Sequence, residues 1–187
     1  MQQLFKAFQL RMQRTVLLPV VRTNHRGVCN MNKSLQIICQ LIRQIATLTL
    51  DTPPNFFRLT NEKISEVYNG AGPDWMNSIE RGILTFLLRY FAAAFVIHDV
   101  EYYFNTDTAD TPANRARFHA ANLRMWNNIK KINASLWGWY NPRRWYWRAK
   151  GWLAYQACEK CGWSAWIAVG SQTSPAIITL KATVINE

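Results

Sequence analysis

The chain has 187 residues, 49% of them apolar, and a formal net charge of +11. That length suits one domain with a sizeable core, and no window reaches the roughly eighteen uninterrupted apolar residues of a membrane span. Four cysteines, Cys29, Cys39, Cys158 and Cys161, are too few for a disulfide framework in a chain this long. Cys158-Glu-Lys-Cys161 has no second pair and no well-placed histidine to complete a zinc site.

Charge is segregated along the chain. Residues 1–50 carry seven Lys/Arg and no acid, 51–110 carry four against nine acids, 111–158 carry nine and none, and 159–187 carry two of each. The acids therefore gather in a central stretch between two basic flanks. Basic flanks are the electrostatic footprint of phosphate, which keeps nucleic-acid binding as one reading.

Residues 1–50 read as a basic N-terminal extension. Phe5, Phe8, Leu10 and Met12 mix with Lys6, Arg11, Arg14, Arg22 and Arg26, the composition of a transit peptide or an interfacial amphipathic arm; a true start at Met31 is the plain alternative. Leu35 to Leu50 predicts a short helix with Ile37, Ile38, Leu41, Ile42 and Ile45 on a broad apolar face, ended by Asp51-Thr52-Pro53-Pro54. Thr60 caps a helix from Asn61 to Tyr68, and Asn69-Gly70 stops it. A long apolar helix follows, from Asn77 or Glu80 through Tyr103. Thr111-Pro112 opens the next, to about Ile132, and Asn141-Pro142 opens another that Gly162 ends. Residues 176–185 alternate apolar and polar, as a short strand or extended tail does.

The expected helix ending at Tyr103 carries His98-Asp99-Val100-Glu101-Tyr102. His98 and Tyr102 are four apart and share a face, whereas Asp99 points about 100° away and serves a different neighbour. Upstream lies the glycine turn Asn69-Gly70-Ala71-Gly72-Pro73-Asp74. Calcium takes oxygen ligands from carboxylates and backbone carbonyls, and glycines let a loop turn its carbonyls inward without steric cost. A loop folded against the helix would leave Asp99 as the carboxylate and His98 as a general base.

Asn69-Gly70-Ala71-Gly72-Pro73 followed by Ala94-Phe95-Val96-Ile97-His98-Asp99-Val100-Glu101-Tyr102 resembles the calcium loop and active-site helix of phospholipase A2-like proteins. The likeness is closest to small phage and bacterial members, and it runs from about Phe57 to Trp166. It implies a mainly α fold with a phospholipase A2-like core over residues 51–170, the basic arm before it and a tail over 171–187 after it. It implies Ca²⁺ held by Asp99 and by the carbonyls of Gly70, Gly72 and Asp74. It also implies His98 as the base that activates water against the sn-2 ester of a glycerophospholipid, with Tyr102 bracing the hydrogen bonds around it.

Two departures matter. The family's paired cysteines correspond to Ala71 and Phe95, so that disulfide is lost as a unit. Asn122 stands where the family has the aspartate that hydrogen-bonds the histidine's second nitrogen. A neutral amide still accepts a hydrogen bond but offers no full charge to an imidazolium, and Asp107 and Asp110 are candidate substitutes. The departure opens a second reading, a catalytically impaired phospholipase A2-like protein serving as a virion or membrane-binding component.

The segment from Leu136 to Trp166 interleaves Trp137, Trp139, Trp145 and Trp147 with Arg143, Arg144 and Arg148. Trp favours the membrane–water boundary and basic residues attract anionic headgroups, so these seven residues form an expected docking face on a Trp-rich C-terminal helix. A share of the rings must also serve the core. Stacking with nucleic acid is the competing use.

Overall fold

The computed structural model describes residues 33–68 and 88–171. The basic arm, the glycine turn, the first part of the expected long helix and the alternating C-terminal stretch lie outside these residues. Among the described residues the protein is mainly helical and has no strand.

Local chemistry explains most of the boundaries. Helix α1 spans Lys33–Thr47. A single 3-10 turn at Phe56–Arg58 precedes α2, Asn61–Val67, where the Thr60 hydroxyl accepts from the Lys63 amide at 3.2 Å. Helix α3 is Ala92–Tyr103. Helix α4, Pro112–Leu136, starts with the Thr111 hydroxyl accepting from the Asn114 amide at 3.1 Å. Helix α5, Pro142–Cys161, starts with Asn141 Oδ1 accepting from the Arg143 amide at 3.0 Å. Each cap satisfies an amide that has no partner within its own helix, and proline at the first position removes another such donor.

Helix α1 covers Lys33–Thr47 where Leu35 to Leu50 was expected, and two further boundaries differ. The apolar helix ending at Tyr103 is not continuous: a 3-10 turn at Arg89–Phe91 precedes α3, with Leu88 and Phe91 both near φ −106°, ψ 10°. That turn drives Phe91 fully into the core. Helix α4 runs past Ile132 to Leu136. Gly162 ends α5 as expected, but it does so with right-handed dihedrals (φ −80°, ψ −13°), and a further helix that the sequence did not indicate, α6, Trp163–Ser171, follows at once.

Helix α3 is the centre. Ala93 through His98, Val100 and Tyr102 are all buried, and the helix packs against α1, α2, α4 and α6. Helix α4 offers it Phe118, Ala121, Met125, Ile129 and Ile132, at the three- and four-residue spacing of one helix face. Paired contacts run in opposite directions along the two helices, His98 with Asn122 and Tyr102 with Phe118, so α3 and α4 are antiparallel. Helix α5 returns antiparallel along α4, with Trp126 stacked on Tyr155 and His119 bonded to Glu159. Helix α1 contributes Ile38 and Ile45 to the main core. The part of the 1–50 segment from Lys33 onward is thus packed into this body.

The stripe on α4 is bordered by buried asparagines that tie loops to it. Asn128 accepts from the Asp51 amide at 2.8 Å and donates to the Asp51 carbonyl at 2.7 Å. Asn114 donates to the carbonyls of Asp107 and Ala109 and accepts from Trp166 Nε1 at 2.8 Å. Asn133 donates to the Arg144 carbonyl at 2.9 Å. A side-chain amide suits this work because it donates and accepts at once, as a backbone peptide does.

The aromatic residues split. Trp137 is buried and stacks on half-buried Trp147, 5.9 Å between ring centroids and 6° between planes, with Tyr90 edge-on to both. Two of the four tryptophans expected on a docking face, Trp137 and Trp147, therefore pack into or against the core, with Trp147 also meeting the Arg89–Phe91 turn. Where α5 crosses α4, a methyl built on Gly151 would lie 2.5 Å from Ile129 Cγ2. Gly151→Ala gains helix propensity of about 1 kcal/mol but overpacks the crossing at a cost of about 1–3 kcal/mol. Urea unfolding should show net destabilisation, whereas Ala149→Gly on the exposed side should lose only the propensity contribution.

Candidate functional site

The site is built at the α3–α4 seam around His98. Its Nε2 lies 2.8 Å from Asn122 Oδ1, and the Tyr102 hydroxyl donates to the same oxygen at 3.4 Å. An amide oxygen carries no hydrogen, so His98 Nε2 is the donor, and in the neutral ring the lone pair falls on Nδ1. That nitrogen points towards Asp99, whose Oδ1 is 3.7 Å away. His98 is 6% exposed and Asn122 is fully enclosed, which leaves the pair little competition from water.

Tyr102 fixes the ring from the other side. The two ring centroids are 4.3 Å apart, and Trp166 from α6 meets Tyr102 edge-on at 4.9 Å. Burial is the main cause that pushes the Tyr102 hydroxyl far above its ordinary range, with Cys158 and Asp99 adding to it. It stays protonated and a donor. A methyl built on Gly162 would come within 2.7 Å of that hydroxyl oxygen. Gly162, read in the sequence only as a helix stop, is thus what lets Tyr102 reach Asn122.

Asp99 is mostly buried, its side chain 19% exposed. Tyr68, at the end of α2 and next to the glycine turn, has its hydroxyl pushed up to about 12, by burial first and by the Asp99 carboxylate second. Glu101, the other acid on α3, is partly buried. It pairs with Arg124, which also holds Asp51 Oδ2 at 3.1 Å. Burial raises the Glu101 carboxyl and the Arg124 partnership opposes that rise.

Of the residues predicted for the site, the structure brings together His98, Asp99, Tyr102 and Asn122. Gly70, Gly72 and Asp74 lie outside the described residues. Asp107 and Asp110 do not reach the histidine: each is held at 2.6 Å by an arginine, Arg117 and Arg115 respectively, and Asn105 and Asn114 pin the loop between them. No group of three His, Cys, Asp or Glu side chains converges among the described residues. Asp99 is the carboxylate that faces His98 among the described residues, a chemistry that suits calcium only with further carbonyl or carboxylate oxygens.

Asn122 contributes through its oxygen alone. Its Nδ2 has no hydrogen-bond partner among the described residues, an omission that costs about 1–3 kcal/mol for an enclosed donor. Comparison of the chain with protein-family models, with curated proteins and with solved structures finds no match.

Cys158 lines the same neighbourhood. Burial pushes its thiol up to about 12, with the Asp99 and Glu159 carboxylates adding to the shift. At pH 8 its thiolate fraction is on the order of 10⁻⁴. Residue-resolved alkylation with iodoacetamide at pH 8 should modify exposed Cys161 well before Cys158. Equal rates would show that Cys158 is not enclosed.

Proposed function

We propose that the protein is a calcium-dependent hydrolase of the sn-2 ester of glycerophospholipids, with His98 as the general base. The observation that carries this reading is the enclosed His98–Asn122 pair. It suits the tautomer with the hydrogen on Nε2, which leaves the lone pair on Nδ1 as the proton acceptor that water activation needs. The resemblance of the glycine turn and the His98-Asp99-x-x-Tyr102 motif to phospholipase A2-like proteins supplies the reaction class.

In the proposed step His98 Nδ1 accepts a proton from water as its oxygen attacks the ester carbonyl. Asn122 Oδ1 and the Tyr102 hydroxyl hold the ring so that the lone pair keeps its direction. The proton on Nδ1 then passes to the departing alkoxide of the glycerol, which leaves as the free hydroxyl. Bound calcium, held by Asp99 and the carbonyls of Gly70, Gly72 and Asp74, would polarise the ester carbonyl and stabilise the oxyanion.

Asn122 also favours a second reading, a protein that keeps the site's arrangement with little turnover and serves as a virion or membrane-binding component. The imidazolium formed in the step gains only a dipole where an aspartate would give a charge. In the serine-protease triad, where an aspartate likewise orients the histidine, exchanging it for asparagine lowers turnover by about 10⁴.

Fatty-acid release from phospholipid vesicles separates the two. Under the first reading release requires Ca²⁺, and His98→Gln lowers it by about 10²–10⁴-fold, the usual contribution of a general base. Asp99→Asn should abolish the calcium requirement together with the activity. Asn122→Asp should raise release about tenfold or more, one pKa unit of added imidazolium stabilisation being tenfold. Calcium binding without release, unchanged by His98→Gln, would favour the second reading, and no rise with Asn122→Asp would remove the role given to that residue.

A further inference from the structure

Helix α5 has an outer face that its packing does not use. Trp147, Gly151, Ala154, Tyr155 and Cys158 turn inward to α4 and the core. On the opposite side Trp145, Tyr146, Trp152 and Leu153 are 59%, 56%, 48% and 60% exposed. At 100° per residue these four, with Ala149 among them, fall within an arc of about 120°. Trp139 and Tyr140, 73% and 81% exposed, lie in the turn that leads into the helix. Soluble chains rarely leave a contiguous apolar strip of this kind uncovered unless it meets a partner or a membrane.

The charges around the strip indicate which. Arg148 and Lys150 sit on its two flanks. The Arg148 guanidinium is 5.9 Å from the Trp145 ring centroid, and Lys150 Nζ is 4.5 Å from that of Tyr146. Arg143 is exposed at its N-terminal end, and no acidic residue occurs from 111 to 158. Rings and a leucine along the middle with cations at the margins match the layered chemistry of an anionic bilayer surface. Indole and phenol rings settle at the headgroup boundary, aliphatic groups go below it, and cations meet the headgroups. A single nucleic-acid strand instead favours a groove with cations distributed among the stacking rings, and the strip lies along a convex helix.

We propose that the outer face of α5 is the docking surface for an anionic lipid bilayer, entered through Trp139, Trp145, Trp152 and Leu153 and held by Arg143 and Arg148. This surface extends the lipid reading proposed above, and it is read by binding, which needs no turnover.

The test uses the full chain with two sets of vesicles, phosphatidylcholine alone and phosphatidylcholine with about one-third phosphatidylserine, the anionic component that attracts basic residues. Flotation should show the protein bound to the anionic vesicles, more weakly as salt rises. Trp145→Ala/Trp152→Ala should weaken that binding about tenfold or more, in line with losing two interfacial rings. Arg143→Gln/Arg148→Gln should remove most of the preference for anionic vesicles. His98→Gln should bind as the native chain does, so a failure of the catalytic reading leaves this one standing.

Quenching of native tryptophan fluorescence by brominated acyl chains provides a reading that needs no variant. Native chain that stays with the unbound fraction, tryptophan variants that bind undiminished, or an absence of quenching would each overturn the assignment. So would oligonucleotide binding that depends on Trp145 and Trp152 while vesicle binding does not.

Discussion

A helix enclosed on every side must settle its polar side chains against its neighbours, since water is not there to do so. Helix α3 is in that position, and His98 is the side chain that has to be settled. Its ring can neither move to solvent nor stay without a partner, because an enclosed polar group left unsatisfied is costly. Asn122 on α4 resolves this, and the resolution fixes more than one bond. It sets the register of α3 against α4, orients Tyr102 through the shared oxygen, and through Tyr102 positions the start of α6 at Gly162 and Trp166. The proposed chemistry and the packing of three helices thus depend on the same contact.

Helix α4 repeats that device along its length. Asn114, Asn128 and Asn133 each take up the backbone of a loop or a neighbouring helix. The result is a helix whose apolar stripe is narrow but whose flanks are cross-linked. It also accounts for how a chain with few acids orders its connections: side-chain amides, whose strength does not depend on salt, do much of the tethering. The ion pairs of Asp107 and Asp110 lie nearer the surface, where such pairs contribute about 0–1 kcal/mol.

Helix α5 separates two uses of the same residue type. Trp147 and Trp145 are two apart in sequence and face opposite ways, one stacked on Trp137 inside and the other against solvent. The inward set meets α4 at Gly151, where a methyl group would run into the Ile129 side chain. The tight fit there goes with Trp147 turned inward and Trp145 and Trp152 left exposed.

The sequence by itself determined the mainly α character and most helix starts, because Thr60, Thr111-Pro112 and Asn141-Pro142 act on amides two or three residues away. It also placed His98 and Tyr102 on one face, since that follows from helical spacing alone. The break at Arg89–Phe91, the further helix after Gly162, the division of the tryptophans and the retention of Asp107 and Asp110 by arginines were decided only by the three-dimensional structure. The break and the division of the tryptophans depend on what a distant segment places beside the residue. The same holds for the site: the resemblance set Asn122 opposite His98, but the 2.8 Å contact exists only because two antiparallel helices pack in that register. Local hydrogen bonds can be read along a chain, whereas the direction a side chain faces within a core is a property of all its neighbours together.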